Sequence, residues 1–534
     1  MKSYRNGYIA SRGIRLTGGG FMAFAICACS PLVGGAQGSE QGAISALAEV
    51  HAPDRHLDVP NLEDGLSLPE FVSVLQQNNS SIRIASNDIA LANAKFEEES
   101  AIFEPLLTSS VSVLNSLEPL SVDDQLLGRT PDPYPSKAQN LEVALTKLIK
   151  NGSTISLTSR VQREKMGDLR DYQYSSFLGV VLNLPLARGR GENVVMAGIN
   201  RADLGREIAT MTKIDGENTL SARAALLFLD SVGAQQLSDN LAKRISILTN
   251  LLSLSKQLIE RGRLPTSALF EIENALDQIV AVKSETDQQF ARYKNDVLTL
   301  AGMRASGKKS FRFDATLLPL HALLPCALDT CIRLALDNRA DYQAQLVRNR
   351  QADIDVVTAQ NKTRPRADLV LELGLSEKAG TLGSSLSAKG LTSNSTVRFG
   401  VELELPLRGN SLGKAALRQA MLARENVLIQ TQDLRLQIEN EIAFQRHSVQ
   451  STGEQWTTWQ GIAERQNAQF KTERDRFKQG RSDIIQILRA QERALDAQAT
   501  ANKAQIAHAK AWILLMATQG RLREIVKDKR LFRT

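Results

Sequence analysis

The feature that most limits how this chain can fold is a duplication. The stretch LSLPEFVSVLQQNNSSIRIASNDIALANAKFEEESAIFEP (66–105) lines up without a gap on CALDTCIRLALDNRADYQAQLVRNRQADIDVVTAQNKTRP (326–365). Asn78 falls on Asn338 and Pro105 on Pro365, an offset of 260 residues. Self-similarity of this kind marks one supersecondary unit used twice. Both stretches carry apolar residues at helical spacing, and each ends at a proline, where a helix must stop.

After each proline the period changes from helix to strand. Beyond Pro365, Ala367, Leu369, Leu371, Leu373 and Leu375 alternate with Asp368, Glu372, Gly374 and Ser376. Before Pro406, Val397, Phe399, Val401, Leu403 and Leu405 alternate with Arg398, Gly400, Glu402 and Glu404. The alternation predicts strands of about ten residues with one apolar and one charged face, the length of a tilted membrane-spanning strand. A soluble sandwich also has an apolar inner face. In the first half, Leu107, Val111 and Val113 mark one strand, and Leu178, Val180, Leu182 and Leu184 mark its return. An extra hairpin lies between them: Leu141, Val143 and Leu145, the turn pair Asn151-Gly152, then Ile155, Leu157 and Val161. The sequence leaves open whether this hairpin joins the sheet.

Each return strand ends in a proline followed by arginine and glycine, LNLPLARGRG at 182–191 and LELPLRGNS at 403–411. Beyond these breaks no proline occurs until Pro265 in the first half, and none to the end of the chain in the second. Leu237, Leu241, Ile245, Leu248, Leu252 and Ile259 keep coiled-coil-like spacing. A helix over 193–261 would run about 100 Å at about 1.5 Å per residue, too long for a compact globule. Each helical stretch is interrupted near its middle by a similar motif, ERGRLPTSALFEIENAL (260–276) and KQGRSDIIQILRAQERAL (478–495). Both read as tips of antiparallel helical hairpins. The plan of each half is helix, β-hairpin, long helix, tip, long helix.

The N-terminus carries Lys2, Arg5, Arg12 and Arg15 ahead of the short apolar run FMAFAICA (21–28), the pattern of an export signal. Gly34 and Ala36 offer small residues for ordinary cleavage. Alternatively, ICAC (26–29) resembles a lipobox and would leave Cys29 to carry lipid. No later segment has about 18 consecutive apolar residues, so an exported chain is either soluble beyond the inner membrane or spans as a β-barrel. Cys326 and Cys331 remain in the mature chain. Five residues apart on one helix they are out of reach, so a disulfide requires Cys326 to precede the helix; two buried thiols are the alternative.

The chemical motifs are thin. The net charge of +7 is spread over 65 Lys and Arg and 58 Asp and Glu without a basic block, which argues for solvated helix faces rather than nucleic-acid binding. His51, His56, His321, His447 and His508 are scattered, with no pair at metal-ligand spacing. There is no nucleophile elbow, and Gly189 to Gly191 lacks the third glycine of a dinucleotide loop. No enzyme activity, cofactor or metal is expected. Trp456, Trp459 and Trp512 sit within helical pattern and read as packing residues.

In its ordered, duplicated plan the chain resembles the TolC-like outer membrane efflux proteins over about 66–522. The resemblance rests on the helix–proline–strand units, the PLARGRG and PLRGNSLGK breaks, the two GR tips, and the closing segments LTLAGM (298–303) and LLMATQGRL (514–522). It implies an α+β membrane protein in which long helical hairpins form a periplasmic tunnel. The β-hairpins of three chains complete one outer-membrane barrel; in the family each chain gives four strands and the barrel has twelve, a count the Asn151-Gly152 hairpin leaves open here. Single chains would leave strand edges unpaired in lipid, so oligomerisation is required. The boundaries are a signal at 1–36 (or cleavage before Cys29), a linker at 37–65, repeats at 66–310 and 325–523 separated by a linker at 311–324, and a tail at 524–534.

The resemblance also implies roles. The chain would be a passive exit duct joined to a periplasmic adaptor and an inner-membrane pump. Gly262, Arg263, Leu264, Gly480, Arg481 and Ser482 form the adaptor-facing tips; a plain helix-reversing turn is the alternative. Pro105, Pro185, Gly189, Gly191, Pro365, Pro406 and Gly409 form the barrel-to-tunnel seams. Asp483, Gln486 and Arg489 fall at the periplasmic aperture, where the family often has acidic rings that this chain lacks. A ring of three Arg489 would favour anions if it faces the pore; ion pairing on an outer or interhelical face is the alternative. The competing whole-chain reading is a periplasmic coiled-coil adaptor or scaffold, which has one helical hairpin flanked by β-domains and no membrane barrel.

Overall fold

The computed structural model describes residues 65–119, 122, 126, 134–166, 171–261, 265–303, 312–314, 325–386, 394–479 and 481–522. The expected signal and Cys29, most of both linkers, the tail, and the tip residues Gly262, Arg263, Leu264 and Gly480 lie outside the described residues.

In chain order the elements are α1 (Leu68–Asn78), α2 (Ser80–Ser100), β1 (Leu106–Glu118), β2 (Tyr134–Leu148), β3 (Thr154–Met166), β4 (Gln173–Pro185), α3 (Ala197–Glu260) and α4 (Ser267–Leu300). Then follow α5 (Leu328–Asn338), α6 (Ala340–Lys362), β5 (Arg366–Ala379), β6 (Ser395–Glu404), α7 (Ser411–Lys478) and α8 (Ile484–Thr518). The first stretch, which the sequence reads as one helix, is two. At Asn79 the backbone is extended, and its side chain accepts from Ser81 N (2.8 Å) and donates to Leu300 O (2.9 Å), capping α2 while tying it to α4. The second stretch breaks at Arg339, also extended. A capping box opens α1: Ser67 N and Oγ both donate to Glu70 Oε2, at 3.1 and 2.7 Å.

The breaks between α3 and α4 and between α7 and α8 do not fall midway. The long arms have 64 and 68 residues and the returning arms 34 and 35. The returning arms stop early because each ends in a left-handed glycine, Gly302 (φ 70°) and Gly520 (φ 71°). In each a Schellman closure forms: Met303 N donates to Leu298 O (2.9 Å) and Arg521 N to Met516 O (3.1 Å). Each glycine lies against the end of a short helix. A Cβ on Gly302 would meet Asn78 O at 3.0 Å, and one on Gly520 would meet Asn338 O at 2.8 Å.

The core sits at this level. Phe71, Val72 and Leu75 of α1 pack against Ala224, Ala225, Phe228 and Val232 of α3, with Ile438 and Ile442 of α7 and Trp512 and Leu515 of α8. Repeated alanines let the helices approach closely. Phe313, in the stretch read as a linker, is buried with its ring edge-on to Phe228 and Phe290, and Gln235 brackets its backbone with bonds of 2.9 and 3.0 Å. Cys326 precedes α5 and is disulfide-bonded to Cys331, with Cα atoms 5.7 Å apart, so the paired alternative holds.

The six strands form one antiparallel sheet in the order β1-β2-β3-β4-β5-β6. The Asn151-Gly152 hairpin therefore joins the sheet, as β2 and β3. Strands run 10 to 15 residues, longer than the apolar band because their polar ends also pair. Below the sheet, α2 packs on α3, α3 on α6 and α6 on α7. These are the four helices that lead into β1 and β5 and out of β4 and β6.

Candidate functional site: sheet faces, seams and tip

Cross-strand register turns the alternation of single strands into two faces. Leu107, Leu145, Leu157, Val180, Leu373 and Val397 stand in one row across all six strands, and Ile155, Leu182, Leu371 and Phe399 continue the same apolar face. These side chains are not covered: Phe399 is 69% exposed and Val111 71%. A face this apolar and this open is built for lipid rather than for water.

The opposite face is charged. Arg160 Nε donates to Glu142 (3.2 Å) and its Nη1 lies 4.0 Å from Glu372; Arg398 pairs with the other oxygen of Glu372 at 3.0 Å. The Glu372 side chain is only 8% exposed and sits between the two arginines. Between them the Phe177 ring lies over the paired glycines Gly179 and Gly374, where any Cβ would collide with it at about 2.5 Å. The ring thus lies flat along the wall, with Arg160 stacked 5.8 Å from its centroid.

The expected seam residues come together where sheet meets helices. Pro105 and Pro365 immediately precede β1 and β5, Pro185 ends β4, and Pro406 follows β6. Gly189 (φ 87°), Gly191 (φ 106°) and Gly409 (φ 81°) supply left-handed turns that carry the chain from strand direction into helix direction. Two main-chain bonds and one to a side chain fasten the first seam across to the second repeat: Leu186 N to Ala367 O (2.7 Å), Arg188 N to Pro365 O (3.2 Å) and Gly189 N to the Asn361 side-chain Oδ1 (2.9 Å). In the second seam, Asn410 adopts a left-handed backbone (φ 43°), caps α7 at Gly413 N (3.0 Å) and donates to Lys362 O and Thr363 O, both at 2.9 Å. The arginines of these breaks meet carboxylates: Arg188 to Glu404 at 3.2 Å, and Arg366 beside it to Asp368 at 2.7 Å.

At the described tip, Arg481 N returns to Arg476 O (2.9 Å), Ser482 Oγ bonds Glu473, and Asp483 caps α8 by accepting from Gln486 N (2.8 Å). Asp483, Gln486 and Arg489 follow at intervals of three and are all exposed, on one side of α8. The buried side carries Ile484, Ala490, Gln491 and Ala494. Arg489 makes no ion pair among the described residues. Nearby, Arg244 of α3 joins the two hairpins by bonding Glu492 (2.9 Å) and Asp496 (3.1 Å) of α8.

The outer helices of the layer carry unpartnered apolar stripes. On α7, Leu422, Ile429 and Leu436 recur every seven residues at 54%, 48% and 57% exposure, and on α2, Ile84 and Leu91 do the same. Two titratable groups report strain and fastening in the helices. Burial, with Asp341 nearby, pushes the Asp215 carboxyl above its usual range against the opposing Arg339. Hydrogen bonds from Lys283 (2.5 Å), on the same helix, and Ser238 (2.6 Å) hold Asp287 below it, and the Ser238 bond pins α4 to α3.

No family model and no curated protein matches the sequence. Solved structures do. The outer-membrane channel OprN superposes with a TM-score of 0.61 at 18% identity, over 85% of this chain and 89% of that one. CusC gives 0.60 at 14% identity over 85% and 91%. VceC, an outer membrane protein of Vibrio cholerae, gives 0.59 at 15% identity over 85% and 96%. The chain has the TolC-like channel fold. A likeness spanning most of both chains, with two helical hairpins and one sheet, is not that of an adaptor built on a single hairpin.

Of the residues the sequence singled out, the prolines and glycines lie between strands and helices, and Asp483, Gln486 and Arg489 lie exposed at the start of α8. Sequence reasoning missed Glu142 and Arg160, because a charge on a strand acquires meaning only once register gives it a partner. It also missed Asn361, Asn410 and Arg244. Only Asn410 carried a local signal, an asparagine beside a glycine ahead of a helix.

Proposed function

We propose that this protein is the outer-membrane exit duct of a multi-component efflux or secretion system. It is a homotrimer built from two similar halves, its sheet in the outer membrane and its helices in the periplasm, and it conducts substrate passively rather than by catalysis. The observation that carries this reading is a coincidence of free edges. Among the described residues the sheet ends at the outer edges of β1 and β6, with no further strand beside them, and the helical layer ends in α2 and α7 with exposed apolar stripes. Strand edges do not persist in lipid, so copies must join edge to edge and stripe to stripe. Similarity to outer membrane channels such as the open MtrE of Neisseria gonorrhoeae (TM-score 0.57, 14% identity) supports the placement.

In this reading the tips, Gly262, Arg263, Leu264, Gly480, Arg481 and Ser482, receive a periplasmic adaptor that links to an inner-membrane pump. The exposed stripe of Asp483, Gln486 and Arg489 lines the aperture, and three Arg489 guanidiniums favour anions there. Fractionation with native mass measurement tests the whole: a detergent-stable trimer from the outer membrane supports it, and a soluble periplasmic species defeats it. In single-channel recordings, Arg489→Ala is expected to shift selectivity toward cations; unchanged selectivity removes Arg489 from the pore.

A further inference from the structure

We infer that the wall of this duct has eighteen strands, six from each of three copies, rather than twelve. The inference rests on the trimer proposed above and adds the count of strands per copy. The β2–β3 hairpin is not an appendage. It pairs with β1 over thirteen consecutive positions, Leu106 to Glu118, and with β4 from Thr154 to Glu164, so β1 and β4 do not touch. Its residues keep the apolar face continuous, with Leu145 and Leu157 in the same row as Leu107 and Val180.

Its charges belong to the wall as well. Arg160 supplies one of the two arginines that balance Glu372 on β5, and Glu142 balances Arg160 in turn. The far end is fastened to the seam. Gly191 N donates to Asn151 O (3.1 Å), Lys150 lies 3.8 Å from Glu192, and Gly152 (φ 97°) fits against Gly189 where a side chain would collide.

The edges also suit closure by a second copy. β1 runs away from the seam and β6 runs back toward it, so the β6 of one copy and the β1 of the next meet antiparallel, as every other pair in the sheet does. The free strand edges stand on the same flanks as the apolar stripes of α2 and α7. Widths agree too. At about 4.8 Å per strand and a tilt of about 40°, six strands take about 38 Å of wall, the width of four helices spaced about 9–10 Å apart. An eighteen-stranded barrel is then about 36 Å across between backbones, about one and a half times a twelve-stranded one.

One row across the charged face gives the test: Ser112, Asn140, Gln162 and Ser175 are successive partners on β1, β2, β3 and β4. Double-cysteine variants of the full chain are treated in outer-membrane vesicles with a short thiol bridge and read by mass spectrometry. Bridging of Ser112→Cys with Asn140→Cys and of Gln162→Cys with Ser175→Cys is expected, and loss of bridging between Ser112→Cys and Ser175→Cys, which stand about 14 Å apart in a six-stranded sheet. Should the first pair fail to assemble, Thr108→Cys with Ala144→Cys replaces it on the same strands. Bridging of β1 directly to β4, or no bridging of β1 to β2, overturns the inference. Native mass of the unmodified complex separates the two readings: six-strand bridging in an assembly of other than three copies overturns the trimer while leaving six strands per copy.

Discussion

At the scale of single residues, the fold depends on a few positions where no substitute fits. Gly302 and Gly520 end the returning helices in the left-handed region while lying against the carbonyls of Asn78 and Asn338. Gly520→Ala is expected to cost about 1–2 kcal/mol from backbone conformation alone. The displaced Asn338 carbonyl adds to this, so the loss in midpoint denaturation should exceed that of an exposed mid-helix Gly→Ala change such as Gly216→Ala, where nothing crowds the new Cβ. Asp215 offers a test with a sign. Its folded-state carboxyl titrates above the ordinary 3.8, so its contribution to stability is fullest below that value and is lost as pH rises through the folded one. Asp215→Asn is therefore expected to raise Tm near neutral pH, with the gain vanishing below about pH 4. A gain that persists in acid would show that the carboxylate charge is not what burial opposes.

At the scale of elements, register decides which chemistry faces which medium. Leu373 sits mid-row on the apolar face and Ser110 on the charged face, opposite Glu142. Leu373→Arg is expected to cost about 2–4 kcal/mol in lipid and to reduce assembly of the proposed trimer, whereas Ser110→Arg should assemble normally. Equal losses would mean that the apolar face is not the lipid face. On α7, Ile429→Ala removes one contact of the heptad stripe and is expected to weaken each copy-to-copy interface by about 1.5–3 kcal/mol, seen as lower trimer melting. The helices and strands were legible in the sequence because their periods are local: Leu369 to Leu375 announce a strand without knowledge of its neighbour. The break at Asn79, the ion chain from Glu142 to Arg398 and the place of the Asn151-Gly152 hairpin were not, since each depends on partners distant in the chain. The uneven hairpin arms were not read, although the glycines that end the short arms, Gly302 and Gly520, lie in the closing segments the sequence shows.

At the scale of the whole molecule, sheet and helices form one wall whose free borders run through both. The seam is where the two periods meet, and its glycines and Asn410 let one continuous surface change from strands to helices. In the duct proposed above, this wall closes on itself with one end outside the cell and the other in the periplasm. Labelling of single cysteines with a membrane-impermeant maleimide tests that claim most directly, using Asp171→Cys in the turn between β3 and β4, beyond the sheet end far from the seam, and Arg481→Cys at the helical tip. Asp171→Cys is expected to label on intact cells and Arg481→Cys only after the outer membrane is permeabilised. If neither labels until permeabilisation, the sheet does not reach the cell surface and the protein is not a duct.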